Sequence, residues 1–281
     1  MVTQEQRRRQ LAREKFLRQQ QRRTSARRKA RARNAVIASV LGVVVVGSVV
    51  SYATGVFKQD DDKSDKSDAA AATPSPSAPS KAPDPCDKAA AGKVKSLSYK
   101  KEPAMSVDKS ADYTMKLQTT CGAIDIVMPA SKAPHTVNSF NFLVGKGYLD
   151  HTKCHRLTTN GIYVLQCGDP QGTGMGGPGY TIPDENLKDK RLKGNVYPAG
   201  TVAMANQYNA QTKEGRDSGG SQFFLVYQDS QLPANYTPFG TISESGMKVL
   251  KKIAAAGEST GQGDGAPNAT VVIDKATVTK S

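Results

Sequence analysis

The chain has 281 residues, enough for one or two domains, and a formal net charge of +14 from 39 Lys and Arg against 25 Asp and Glu. Thirteen of those positive charges lie within residues 1–34, opposed only by Glu5 and Glu14, so the remainder of the chain carries about +3. That distribution excludes a nucleic-acid-binding surface on the folded part, which would need basic residues interleaved with aromatics there.

Residues 1–34 have helix-forming composition but only Leu11, Phe16 and Leu17 as large apolar side chains, too few to bury a core. They read as a solvated or membrane-surface head, each basic residue near anionic lipid contributing about 1 kcal/mol; RNA binding is the alternative. Ala35 to Phe57 contains no charged residue, and a helix of that length crosses a bilayer core of about 30 Å. The arginine-dense amino flank and the KQDDDKSDKSD carboxyl flank predict a cytoplasmic N-terminus and an extracytoplasmic C-terminal part. A cleaved signal peptide competes, because Ser51-Tyr52-Ala53 offers small residues for a peptidase, but the charged head is too long for an ordinary signal. Gly47, Ser51 and Gly55 form a small-residue face that could pack helices together.

Residues 58–93 are expected as a disordered tether of Asp, Lys, Ser, Ala and Pro, and 94–281 as the folded domain. Within the domain, YTMKLQTTCGAIDIVM alternates and breaks at Cys121-Gly122, which predicts a hairpin. Ser131 to Val144, with Pro134 near its start and Gly145 and Gly147 at its end, predicts a helix. Short strands and glycine-rich loops follow to Phe239. A second helix is expected from about Ser245 to Gly257, and TVVIDKATV closes the chain as a strand. Many short strands with two amphipathic helices suggest a closed antiparallel barrel capped at each end.

Four cysteines in an exported domain favour disulfides and allow three pairings. Cys154 and Cys167 flank a short apolar segment and could face each other across a hairpin, leaving Cys86 with Cys121; the alternative is four reduced thiols. A metal site from His151, Cys154, His155 and Cys167 matches no common zinc spacing, and Cys154 and His155, adjacent on a strand, would face opposite ways. Gly172, Gly174 and Gly177 spell G-x-G-x-x-G, but Pro178-Gly179 follows where a dinucleotide site needs a helix. Gly219-Gly220-Ser221-Gln222 lacks the second glycine of a nucleophile elbow and runs into strand-like FFLVY. No cofactor and no metal is therefore expected. Asn235 and Asn268 lie in N-x-T sequons, relevant only in a host that glycosylates exported proteins.

CHRLTTNGIYVLQCGD at 154–169, GTGMGGPGY at 172–180, DEN at 184–186, VAMAN at 202–206 and GGSQFFLVY at 219–227 occur in this order. Together they resemble the core of the cyclophilin family of peptidyl-prolyl isomerases, over about 170 residues from Tyr113 onward. The resemblance implies an eight-stranded closed barrel capped by two helices, and cis/trans isomerisation of X-Pro bonds in exported proteins. It makes Arg156 the catalytic donor, assisted by Gln166, with Asn206 holding the peptide beside Ala205. Tyr163, Val164, Phe224 and Leu232 would wall the proline pocket, Gln222 would support its edge, and Tyr236 stands where the family usually has a histidine. By the same reading His155 is structural and Phe223 belongs to the core.

Three departures qualify the resemblance. Two extra residues lie between Arg156 and Gln166, so the pocket positions are counted back from Gln166. QYNAQTKEGRDSGG after Asn206 is about seven residues longer than usual, and Gln231 occupies the rim position where many members carry tryptophan, which speaks against tight cyclosporin binding. A peptide-binding or chaperone module with weak or no turnover is the alternative function. Substrates are expected to be proline-containing unfolded or peptide segments.

Overall fold

The computed structural model describes residues 83–281; the basic head, the apolar stretch 35–57 and the linker to residue 82 lie outside the described residues. Among the described residues no helix is long and apolar enough to cross a membrane.

The first hairpin forms because its pattern has period two. On β1 (Asp112–Thr119) Tyr113, Met115 and Leu117 are buried, and on β2 (Gly122–Pro129) Ile124, Ile126 and Met128 are. The remaining strands are β3 (Thr152–Lys153), β4 (Arg156–Thr158), β5 (Val164–Cys167), β6 (Val196–Tyr197), β7 (Thr201–Met204), β8 (Phe223–Val226), β9 (Ser230–Gln231), β10 (Pro238–Ile242), β11 (Asp264–Gly265) and β12 (Val272–Lys280). Ten of the twelve strands described make one antiparallel sheet in the order β11-β4-β5-β8-β7-β10-β2-β1-β12-β3, while β6 and β9 pair separately.

The fold is thus mainly β, as expected, and its antiparallel sheet is curled. The count differs from the eight strands of the expectation because short pieces such as β3, β4 and β11 form separate strands. Cys154 and His155 separate β3 from β4, yet Cys154 N donates to Val271 O at 3.0 Å and His155 N to Gln166 O at 3.0 Å.

Helix α1 (Pro134–Gly145) starts on a proline whose fixed φ suits the first turn. Its free amides are satisfied from a distant loop: the Glu185 carboxylate accepts from His135 N at 3.0 Å and Thr136 N at 2.9 Å. A carboxylate is favoured there because the helix N-terminus carries partial positive charge. Helix α2 (Glu244–Ala255) is capped by Ser243, whose Oγ accepts from Gly246 N at 3.1 Å.

Phe140 of α1 stacks on Phe239 at 4.9 Å and meets Phe223 edge-on at 5.4 Å in the main core. A second, smaller cluster of Val164, Tyr197, Ala203, Phe224 and Val226 lies apart from it. Neighbours Phe223 and Phe224 belong to different clusters because successive strand residues face opposite ways.

Residues 83–93, expected in the disordered tether, instead lie against the domain. Cys86 is bonded to Cys121, Asp87 N donates to Thr120 O at 2.8 Å, and Ala90 N to Asp274 Oδ1 at 2.9 Å. Composition missed this because one disulfide and a few backbone bonds hold the segment, not apolar side chains. The second disulfide joins Cys154 and Cys167, so no cysteine is free.

Candidate active site

Arg156 on β4 stands directly opposite Gln166 on β5, and Gln166 opposite Phe224 on β8. Antiparallel pairing alone therefore gathers three of the residues singled out in the sequence. Arg156 Nη1 donates to Gln166 Oε1 at 3.3 Å, Gln166 Nε2 to Gln222 Oε1 at 2.9 Å, and Gln222 Nε2 to the Gly176 carbonyl at 2.8 Å. On its other edge the guanidinium forks onto Asp264, Nε to Oδ1 at 2.8 Å and Nη2 to Oδ2 at 2.7 Å. Those hydrogen bonds raise the Arg156 pKa despite partial burial and lower that of Asp264.

Beside Arg156 opens a pocket of about 190 Å³ lined by Ile162, Val164, Gln166, Ala205, Asn206, Phe224, Leu232 and Tyr236. Tyr163 is not part of this wall: its ring meets Tyr227 at 5.9 Å. Val164 and Tyr163 are adjacent in an extended run and must face opposite sides, so Ile162, two residues from Val164, takes the place assigned to Tyr163. The Phe224 and Tyr236 rings meet edge-on at 5.5 Å. Tyr236 is held by Tyr197, whose hydroxyl donates to Tyr236 O at 2.7 Å and accepts from Tyr236 N at 3.1 Å. Burial pushes the Tyr197 pKa up to about 12, so the hydroxyl keeps its proton.

A larger groove of about 520 Å³ adjoins the pocket and shares Gln166, Ala205 and Asn206 with it. Gln222, Ser221 and the 174–181 loop also line it. The Asn206 side chain donates to Asn235 O at 2.7 Å and Asp184 Oδ1 at 3.3 Å. The lengthened loop packs nearby: Arg216 lies 3.7 Å over the Tyr208 ring and donates to Asn235 Oδ1 at 2.7 Å and Asp184 Oδ2 at 3.3 Å. Gln231 lies outside both linings and donates to Gly194 O at 2.9 Å.

The glycine run is organised by a buried carboxylate. Asp169 accepts from Gln171 N at 2.8 Å, Thr173 N at 2.8 Å, Gly174 N at 2.7 Å and Thr173 Oγ1 at 3.2 Å. Burial would raise its pKa, but these bonds, with one from Gly176 N, hold it below the usual carboxylate value. The amides that would cradle a phosphate are turned onto the chain's own anion. A Cβ on Gly176 would collide with Asp169, which is why glycine stands there.

His155 is half-buried beneath this loop, and burial foremost lowers its pKa, with Arg156 adding to the effect and Asp169 opposing it. Cys154 and Cys167 are bonded to each other, so neither sulfur is a thiolate ligand. Among the described residues no group of three or more His, Cys, Asp or Glu could hold a metal ion.

Sequence reasoning missed Ile162, Tyr197 and Asp264. Ile162 was recoverable from strand alternation counted from Val164. Tyr197 and Asp264 carry no local signal, since their contacts to Tyr236 and Arg156 span 39 and 108 positions.

A family profile described as cyclophilin type peptidyl-prolyl cis-trans isomerase/CLD matches residues 114–278. A protein of Mycobacterium leprae named probable peptidyl-prolyl cis-trans isomerase B is 46% identical over 172 residues, covering 58% of this chain and 56% of the relative. The chain thus spans about half the length of that relative. A peptidyl-prolyl cis-trans isomerase of Helicobacter pylori is 35% identical over 162 residues, covering 57% of this chain and 88% of the relative. A crystal structure of a Cryptosporidium parvum cyclophilin type peptidyl-prolyl cis-trans isomerase has a TM-score of 0.47 and 23% identity, covering 60% of this chain and 99% of that one.

Proposed function

This chain belongs to the cyclophilin-type peptidyl-prolyl cis-trans isomerase family, and from that membership we propose that its domain accelerates cis/trans isomerisation of X-Pro bonds in exported proteins. The observation that carries the reading is the Arg156 guanidinium held at the edge of an apolar pocket by Gln166 and Asp264. Amide resonance sets a barrier of about 18–20 kcal/mol. Twisting the C–N bond breaks that conjugation and leaves a pyramidal nitrogen that accepts a hydrogen bond, so a fixed donor stabilises the twisted state more than either planar one.

Ile162, Val164, Phe224 and Leu232 give the proline ring an apolar seat, while Ala205 and Asn206 hold the peptide where pocket and groove meet. The chemistry calls for no nucleophile, so the disulfide-bonded cysteines and His155, whose pKa burial lowers, are compatible with it. In a protease-coupled assay on the full chain, wild type should exceed the uncatalysed rate, and Arg156→Ala should lose about 10²-fold in kcat/KM. A wild-type chain no faster than buffer sinks the enzyme reading and leaves the alternative, a peptide-binding or chaperone module, which the large groove supports.

The anchoring and topology read from the sequence belong to the same proposal. Ala35 to Phe57 holds the chain in the membrane, the basic head lies in the cytoplasm, and the domain works outside, as supported by the charge asymmetry of the flanks. Release of the full chain by carbonate washing of membranes would refute this. The sheet closes into a barrel through Thr152 to Thr158, a reading supported by the Cys154 and His155 bonds to Val271 and Gln166. Fast amide exchange at Cys154 and His155 would count against closure.

A further inference from the structure

From the geometry on both sides of Arg156 we infer that Asp264 is a positioning residue for the isomerisation. It fixes the plane of the guanidinium so that the Nη1 edge faces Gln166 and the proline pocket. The inference rests on the isomerase reading and adds to it a residue from the far end of the chain.

An arginine side chain left free samples many rotamers, and a catalytic donor must surrender that freedom before it can act. Here the fork onto Asp264 occupies Nε and Nη2 together, which fixes both the position and the tilt of the plane. Gln166 engages Nη1 from the opposite side. Two partners at opposite edges define one orientation, which neither would define alone.

The carboxylate is itself held in place. Asp264 pairs across the sheet with Thr158, so Arg156, two residues along β4, is its diagonal neighbour on the same face. The turn leading into β11 is wound around the Glu258 carboxylate, which accepts from Thr260 N at 2.6 Å, Thr260 Oγ1 at 2.7 Å and Gly263 N at 2.9 Å. Gly263 O in turn accepts from Thr159 N at 2.9 Å. At φ +91 Gly263 is in the left-handed region, and a Cβ there would lie 2.5 Å from Asn160 Cβ. Side chains of Arg156 and Asp264 are 38% and 55% exposed. An ion pair so open contributes little to folding, so its consequence lies in orientation and a variant should keep its fold.

The test is a double-mutant cycle on the full chain, with Asp264→Ala, Arg156→Ala and both together, in an NMR exchange assay on an Ala-Pro peptide. Asp264→Ala should lower kcat/KM about tenfold, mainly through kcat, and Asp264→Glu should recover part of it. In the Arg156→Ala background the same substitution should cost nothing more. Unchanged turnover in Asp264→Ala, or an equal further loss in the Arg156→Ala background, overturns the inference while leaving the isomerase reading intact. Should wild type show no turnover, the Arg156 Nε–H resonance decides. Sharp in wild type and broadened in Asp264→Ala, it supports positioning; equally sharp in both, it overturns it.

Discussion

Asp169→Asn should destabilise the domain far more than an ordinary loop substitution and should impair the site without touching it. The carboxylate is fully buried and accepts backbone N–H bonds from Gln171, Thr173 and Gly174 at 2.7–2.8 Å, plus the Thr173 hydroxyl. An asparagine keeps one oxygen. If that oxygen stays with Gln171, the new NH2 group points at the Thr173 and Gly174 amides, and two bonds to a charged acceptor are lost. At about 1.5–3 kcal/mol for each such bond the loss is about 3–6 kcal/mol. Residues 171–173 of the loop are exposed, so water reaches the freed amides and the lower end, about 3 kcal/mol, is the expected value. For a domain of this size that is a fall of about 6–12 °C in Tm.

Urea unfolding of wild type and variant across a range of pH measures it. The folded-state pKa of Asp169 is depressed, so its contribution is complete above the unfolded value near 3.9 and is lost as pH falls through the lower folded value. The gap between wild type and variant should therefore be full at pH 7 and shrink in strong acid. The Gly176 carbonyl, which holds Gln222 and through it Gln166, should shift with the loop, so turnover falls as well. A stability loss under about 1 kcal/mol at pH 7, or a gap that does not change with acid, refutes the assignment of the glycine run to its own carboxylate.

Two other outcomes follow from the contacts around Arg156. Cys154→Ser with Cys167→Ser removes a cross-link of sequence separation 13 beside both Arg156 and Gln166, and should cost about 2–4 kcal/mol in thermal or urea unfolding; a cost below about 1 kcal/mol would show that the cross-link does not stabilise the fold. Val164→Ala strips apolar wall from the pocket and should lower kcat/KM about tenfold, from roughly 0.8 kcal/mol for each buried carbon removed. Tyr163→Ala, outside the pocket wall, should leave it within about twofold. The reverse ranking would restore the tyrosine to the pocket.

What the sequence disclosed depended on how far apart the partners lie. The β1–β2 hairpin, both helices and the last strand were legible because each is set by local alternation, a proline or capping residue, and a stop. Arg156, Gln166 and Phe224 were legible through motif spacing, and pairing across β4, β5 and β8 then places them side by side. Of the residues expected to wall the pocket, Val164 lines it and Tyr163 does not, because neighbours in an extended run cannot share a face. The glycine run was recognised as a loop unsuited to a nucleotide. That its amides converge on Asp169 follows only from positive-φ turns that bring residues 169–176 back on themselves.

Asp264 and Glu185 illustrate the remaining difficulty. Each acts across a long separation, Asp264 on a guanidinium and Glu185, next to Asp184, on the N-terminus of α1. In the proposed reaction the donor is a fixed dipole and no titrating base takes part. A donor that must not move needs an anchor that does not titrate in the working range. The hydrogen bonds from Arg156 lower the pKa of Asp264, Asp264 raises that of the arginine, and burial foremost lowers that of His155. The polar series from Asp264 through Arg156, Gln166 and Gln222 to the Asp169-bound loop thus begins and ends on carboxylates with lowered pKa. The orientation of the Arg156 guanidinium is therefore set by carboxylates whose pKa values lie below the usual range, and in the proposed reaction the apolar pocket is left to select the ring that enters.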